Sequence, residues 1–190
     1  RLDDYRRREN NSTTPVILMG YFNPIYQYGP SRFVTDAVAA GVDGLIMVDL
    51  PPEEDEELCD PARTAGLHWV RLVTPTSNEG RLKQVLQNTS GFIYYVSIAG
   101  ITGTRSAAAS AIGEALATVR KHTHLPIAVG FGINTAEQVR ETGEVADGAV
   151  VGSAIIREIE NNLDASGCAK PELLDRVTGL VSDLAGGLRS

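Results

Sequence analysis

Six short apolar runs, each followed by a helical pattern, constrain this chain more than any other feature. The runs are Val16–Tyr21, Gly44–Asp49, His68–Val73, Gly91–Ser97, Ile127–Gly130 and Gly148–Val151. They are rich in Val, Ile and Tyr and show little alternation. That is the pattern of parallel strands covered by helices on their faces rather than of strands with one wet side. Between them, Phe33, Val34, Ala37 and Val38 share a helical face that Gly41 closes, and Gly at that position is the common helix stop. Leu82, Val85 and Leu86 mark a helix after Ser77, and Ile112, Leu116 and Val119 mark another. Thr135 with Gln138 forms a capping box, and Pro171 starts a terminal helix carrying Leu173, Leu174, Val177, Leu180, Val181 and Leu184.

The last two runs end in glycine segments, Gly130-Phe131-Gly132-Ile133 and Val151-Gly152-Ser153-Ala154-Ile155. Without a Cβ the backbone can approach an anion closely. The second segment opens a helical pattern from Ser153 to Asn161, so free N–H groups and a positive dipole end face whatever sits there. Two ordinary glycine turns are the competing interpretation. Loops after the last two strands are where an eight-unit α/β barrel holds a substrate phosphate. Six β/α units with such loops at the end predict a (β/α)8 TIM barrel of the phosphate-binding type, lacking about its first two units. Residues 1–190 would then form one barrel domain, incomplete at the N-terminus. The chain opens as though partway down a helix, with Leu2, Tyr5 and an arginine run before a turn at Asn10-Asn11-Ser12.

Composition sets the outer limits. The chain has 190 residues, 43% of them hydrophobic, enough to bury a core. A net charge of −7 argues against nucleic-acid and anionic-membrane surfaces. No apolar run approaches a membrane span, and the first residues lack the apolar stretch of a signal peptide. Cys59 and Cys168 lie far apart, which fits unpaired thiols in a reducing cytosol and a cytoplasmic location. His68, His122 and His124 show no metal-ligand spacing. Pro61 falls inside an expected helix over Glu53–Thr64, where it costs about 3 kcal/mol. A kink, or a second helix capped by Asp60 with Pro61 at its first position, is expected. The run from Glu53 to Glu57 reads as a solvated, dipole-stabilised first turn.

Pro15 to Ile25, Val48 to Glu54, Tyr94-Tyr95-Val96-Ser97 with Gly100-Ile101-Thr102-Gly103, and the two glycine segments stand in the order and spacing of one family. Together they make residues 14–162 resemble the tryptophan synthase alpha subunit. The resemblance implies a lyase of tryptophan biosynthesis that cleaves indole-3-glycerol phosphate to indole and glyceraldehyde 3-phosphate by a retro-aldol reaction. It implies a heterotetramer with the beta subunit, which carries pyridoxal phosphate; this chain itself would need no cofactor or metal. Phosphate contacts would come from Gly103, Gly132, Gly152 and Ser153. Tyr21 and Tyr94, near the strand ends of adjacent units, would line the indole and glycerol pocket. Asn23, Pro24 and Pro51 would lie in loops facing the partner. Asp49 alone reads equally well as a helix cap or a binding residue. Residues 98–109, built of small side chains, would form a mobile lid on which Thr102 positions a catalytic aspartate.

The family's catalytic glutamate and aspartate match no segment between Arg1 and Ser190, so no catalytic carboxylate is assigned. Two alternatives stay open: a noncatalytic fragment that binds phosphate or docks on a partner, and another phosphate-binding biosynthetic barrel.

Overall fold

A computed structural model describes residues 2–7, 13–97, 105–130 and 132–188. Nine α-helices, one 3-10 turn and six strands are resolved among them. Helix α1 (Leu2–Arg7) precedes strand β1 (Ile17–Gly20), helices α2 (Phe22–Tyr28) and α3 (Pro30–Ala39), and strand β2 (Gly44–Met47). A 3-10 turn (Pro52–Glu54), α4 (Asp55–Thr64), β3 (His68–Val73), α5 (Glu79–Leu86) and β4 (Ile93–Val96) follow. Then come α6 (Arg105–Arg120), β5 (Ile127–Gly130), α7 (Ala136–Gly143), β6 (Gly148–Val150), α8 (Ser153–Asn161) and α9 (Leu173–Gly186). Strand order follows chain order, β1 to β6. The chain divides into two compact units, residues 1–94 with 122–125, and 95–121 with 126–190.

In the first unit β1, β2 and β3 pair in parallel, with Ile17 opposite Gly44 and Gly44 opposite His68. All four residues of β2 are buried, as the unbroken apolar run requires. The core gathers Leu45 and Met47 of β2, Leu58, Cys59 and Ala62 of α4, and Trp69 of β3. Helices α3 and α4 return to the sheet by the same device. Gly41 donates to the Val38 carbonyl and Val42 to Ala37; Gly66 donates to Arg63 and Leu67 to Ala62, all at 2.9–3.0 Å. Both glycines hold positive φ, 85° and 88°, and the apolar residue after each turns inward. This is the Schellman stop that Gly41 announced.

In the second unit β5 and β6 pair in parallel with Gly130 opposite Val150. Helix α9 packs Leu184 and Leu180 against Ile133, Val139, Ala149 and Val151. Leu174 and Val181, read as part of its apolar face, are exposed. The Thr135–Gln138 capping box is present. Cys59 is buried and Cys168 exposed, both free; burial pushes the Cys59 thiol up to about 12.

One staple recurs at the N-terminal ends of both sheets' strands. The Asp43 carboxylate accepts the Val16 N–H at 2.7 Å while the Asp43 N–H donates to the Val16 carbonyl at 2.9 Å. Asp147 does the same with Ile127, at 2.8 and 2.9 Å. Each aspartate also takes an arginine from the helix before the earlier strand: Arg6 for Asp43, and Arg120 for Asp147.

Three expectations change. Asn23 and Pro24, expected in a loop, lie in the first turn of α2, where a proline forfeits no helical bond. The helix break falls at Glu54 rather than at Asp60-Pro61, and Pro61 sits inside α4. The carbonyl that loses its partner belongs to Glu57, an exposed residue, so water can satisfy it. Finally, α6 starts at Arg105, because Ala107, Ala108 and Ala109 are the strongest helix formers. The rest of the stretch expected as a lid, residues 98–104, lies outside those described.

The Ile127 N–H, and then Arg120, hold the Asp147 carboxyl below its ordinary value of 3.8. A depressed folded value stabilises the fold above the unfolded value and loses that contribution as pH falls through the folded one. Asp147→Asn should therefore cost about 0.5–1 kcal/mol at pH 7, the low end for a half-exposed charged hydrogen bond. The difference from wild type should shrink below about pH 4. Urea titrations across pH 7 to 2 measure it; a pH-independent difference would contradict the assignment.

Candidate phosphate site and partner-facing segment

The register of β5 and β6 places the two glycine loops side by side. Gly130 faces Val150, so Gly132 and Gly152, each two residues further on, emerge in step. Gly132 holds φ 70°, and a Cβ built on either Gly132 or Gly152 would meet nothing within 4 Å. The approach to both backbones is open. Asn134 pins the first loop by donating to the Gly132 carbonyl, while its own N–H donates to the Gln138 side chain at 2.7 Å.

Helix α8, like α2, α3, α4 and α9, begins without a side-chain cap, whereas α5 and α7 are capped. Asn78 caps α5 by accepting the Arg81 N–H, and Thr135 caps α7 by accepting the Gln138 N–H. Gly152 leads α8 with no capping side chain. The first N–H groups of α8 are left for an external acceptor, with the positive dipole end behind them. Ser153, at the first helical position, adds a hydroxyl donor. Gly132, Gly152 and Ser153 thus follow the ends of adjacent strands in one unit. Gly103 and Thr102 lie outside the described residues.

Tyr21, just beyond β1, is 62% exposed, and Tyr94, the second residue of β4, is half-buried. Burial pushes the Tyr94 hydroxyl up from its usual value. The two do not belong to neighbouring units as expected, since β2 and β3 separate β1 from β4 in strand order. Asp49 resolves as a cap, in an unexpected way. Tyr21 precedes α2 and offers no capping side chain, and Asp49 instead accepts the Phe22 N–H at 2.7 Å. Its exposed second oxygen leaves room for more. Asn23, Pro24 and Pro51 are all exposed.

Sequence reading missed the network beneath this segment. Asp55, expected in a solvated turn, is 7% exposed and Arg71 of β3 is 4% exposed. They form a buried ion pair. Arg71 also donates to the Leu50 carbonyl at 2.7 Å and lies over the Trp69 ring at 5.3 Å. Asn88 donates to the other Asp55 oxygen at 2.8 Å and accepts from Arg63 at 3.0 Å. The signal was faint: an arginine in a strand otherwise apolar from Trp69 to Val73. A cleft of about 290 Å³ above it is lined by Asp49, Pro51, Arg71, Ser77 and Arg81. No group of three or more metal-ligating side chains occurs among the described residues, and no described helix is long and apolar enough to cross a membrane.

Parallel β/α units in chain order, ending in two adjacent open glycine loops, define a (β/α)-barrel protein. The chain belongs to the family of the tryptophan synthase alpha chain, whose family model matches residues 4–180. The tryptophan synthase alpha subunit of Legionella pneumophila is similar, with 36% identity and a TM-score of 0.84 over 99% of this chain and 67% of that one. A structure from Aquifex aeolicus matches at 32% identity and TM-score 0.82, over 100% of this chain and 67% of its own. A chain of the Pyrococcus furiosus tryptophan synthase α2β2 complex matches at 33% identity and 0.80, over 97% and 70%. The chain therefore spans about two thirds of the length of these relatives.

Glycerol 3-phosphate should bind this chain more tightly than glycerol. Gly152→Val should remove most of that preference by filling the approach to the cradle, while the open space around the position keeps the fold intact. Calorimetry reads the preference and urea unfolding the stability. Equal binding of the two ligands by wild type would contradict the cradle.

Proposed function

We propose that this chain supplies the substrate-phosphate cradle and the partner-facing segment of a tryptophan synthase alpha subunit in the cytoplasm. As a single barrel domain it would bind indole-3-glycerol phosphate for retro-aldol cleavage and dock on a beta subunit. The observation that carries this reading is the pair of open loops held in register, with α8 left uncapped at Gly152. Gly103, Gly132, Gly152 and Ser153 bind the phosphate through backbone N–H groups and one hydroxyl. A net charge of −7 is no obstacle, because the cradle's positive potential comes from peptide dipoles. Tyr21 and Tyr94 line the pocket for the indole and glycerol parts. Asn23, Pro24 and Pro51 face the partner, and the apolar surface of Tyr26 and Val48, both exposed, suits such an interface. Thr102, outside the described residues, is assigned the role of positioning the catalytic aspartate.

Cleavage needs an acid to protonate the indole ring and a base to take the glycerol hydroxyl proton. Each group contributes about 10²–10⁴-fold. No segment from Arg1 to Ser190 matches the family residues for these roles, which favours the second reading for the isolated polypeptide: it binds and docks without cleaving. Purified residues 1–190, checked by intact mass, should release no indole above background. The same chain joined to two preceding β/α units that carry a glutamate and an aspartate should release it. Robust turnover by residues 1–190 alone would place the acid and base within this sequence and overturn the assignment.

A further inference from the structure

We propose that Arg71 is a positioning residue that sets the partner-facing segment from Asp49 to Pro51. A buried ion pair is weak evidence for stability, since desolvation of two charges offsets much of their attraction, and apolar replacements often do as well. Arg71 and Asp55 are both more than nine-tenths buried. What apolar side chains could not replace is the third contact. One Arg71 nitrogen holds Asp55 at the start of α4, and another holds the Leu50 carbonyl at 2.7 Å. The rigid guanidinium fork thus sets the distance between the loop and the helix that follows it. Trp69, two residues earlier on the same face of β3, supports the guanidinium plane at 5.3 Å. Asn88 fixes the far side of Asp55 at 2.8 Å.

The consequence extends beyond Leu50. The preceding residue, Asp49, caps α2 through the Phe22 N–H at 2.7 Å. The following residue, Pro51, accepts the Glu54 N–H at 3.0 Å. Holding the Leu50 carbonyl therefore holds both neighbours. Asp49, Asn23 and Pro24 at the head of α2 keep their relation to Pro51. The buried network is a template for the exposed face above it.

Amide hydrogen exchange on the intact chain tests this. In Arg71→Leu the Phe22 and Glu54 amides should lose about tenfold or more of their protection beyond any change in global stability. The Leu45 and Val70 amides should track global stability alone. The double variant Arg71→Leu/Asp55→Leu removes the buried charges and should recover the urea midpoint, but not the protection of Phe22 and Glu54. Arg71→Lys, whose single ammonium cannot span Leu50 and Asp55, should fold and show an intermediate loss, and it decides the matter if Arg71→Leu does not fold. Protection at Phe22 and Glu54 that follows global stability in every variant, or that returns in the double variant, would overturn the proposal. A second arm rests on the partner-facing reading: affinity for a beta subunit should fall in Arg71→Leu while glycerol 3-phosphate affinity stays unchanged. Absence of beta-subunit binding by wild type would refute that reading, and the exchange result would still judge Arg71.

Discussion

The aspartates at the N-terminal strand ends fix where everything at the opposite ends emerges. A parallel strand pair has evenly spaced bonds and no hairpin to set its register. Asp43 and Asp147 set it by engaging both backbone groups of Val16 and Ile127. A slip of one residue would break the side-chain bond and turn each side chain to the opposite face of the sheet. With the register fixed, Gly20 pairs with Met47 and Gly130 with Val150. Just beyond the first pair, the Phe22 N–H meets Asp49, and just beyond the second the two glycine loops leave adjacent strands. Both candidate segments follow from a register set at the other end of the strands.

Much of this framework was legible. His68–Val73 and Ile127–Gly130 are strands over the residues expected, because short, mostly apolar runs with Val, Ile and Leu bounded by turn residues leave little choice. Gly41 and the Thr135–Gln138 box are local signals with local partners, and they appear as read. Helix α2 was hidden for the opposite reason. Tyr21 is a poor capping residue, so the sequence around Asn23-Pro24 looks like a loop. The cap is Asp49, brought in by strand pairing. Local reading cannot see a donor and acceptor that only tertiary structure joins.

The same limit explains Asp55 and Arg71. Five consecutive acidic residues, Glu53 to Glu57, suggest a solvated helix start, and four of them are exposed. The fifth turns inward because α4 packs on β3 through Leu58, Cys59 and Trp69, which carries Asp55 against the one charged residue of that strand. Neither side chain could be buried alone. Each is explained by the other, and both by helix-on-sheet packing that brings together residues 16 positions apart.

Capping bears on how the proposed cradle would trade stability for binding. A good N-cap stabilises a helix by about 0.5–2 kcal/mol. Helices α5 and α7 take that stabilisation from Asn78 and Thr135. Helix α8 forgoes it at Gly152, although a Cβ there would meet nothing within 4 Å, so packing does not demand a glycine. Packing of α8 against α9 holds the helix in place instead. Its first N–H groups then remain unsatisfied by protein, which is costly only while they lack an acceptor. A bound anion would recover what the missing cap gave up, so the same N–H groups that weaken α8 in isolation supply part of the affinity. An aspartate or serine at 152 would stabilise the free protein and compete with the anion for the same donors. Glycine at 152 would leave those donors to an anion.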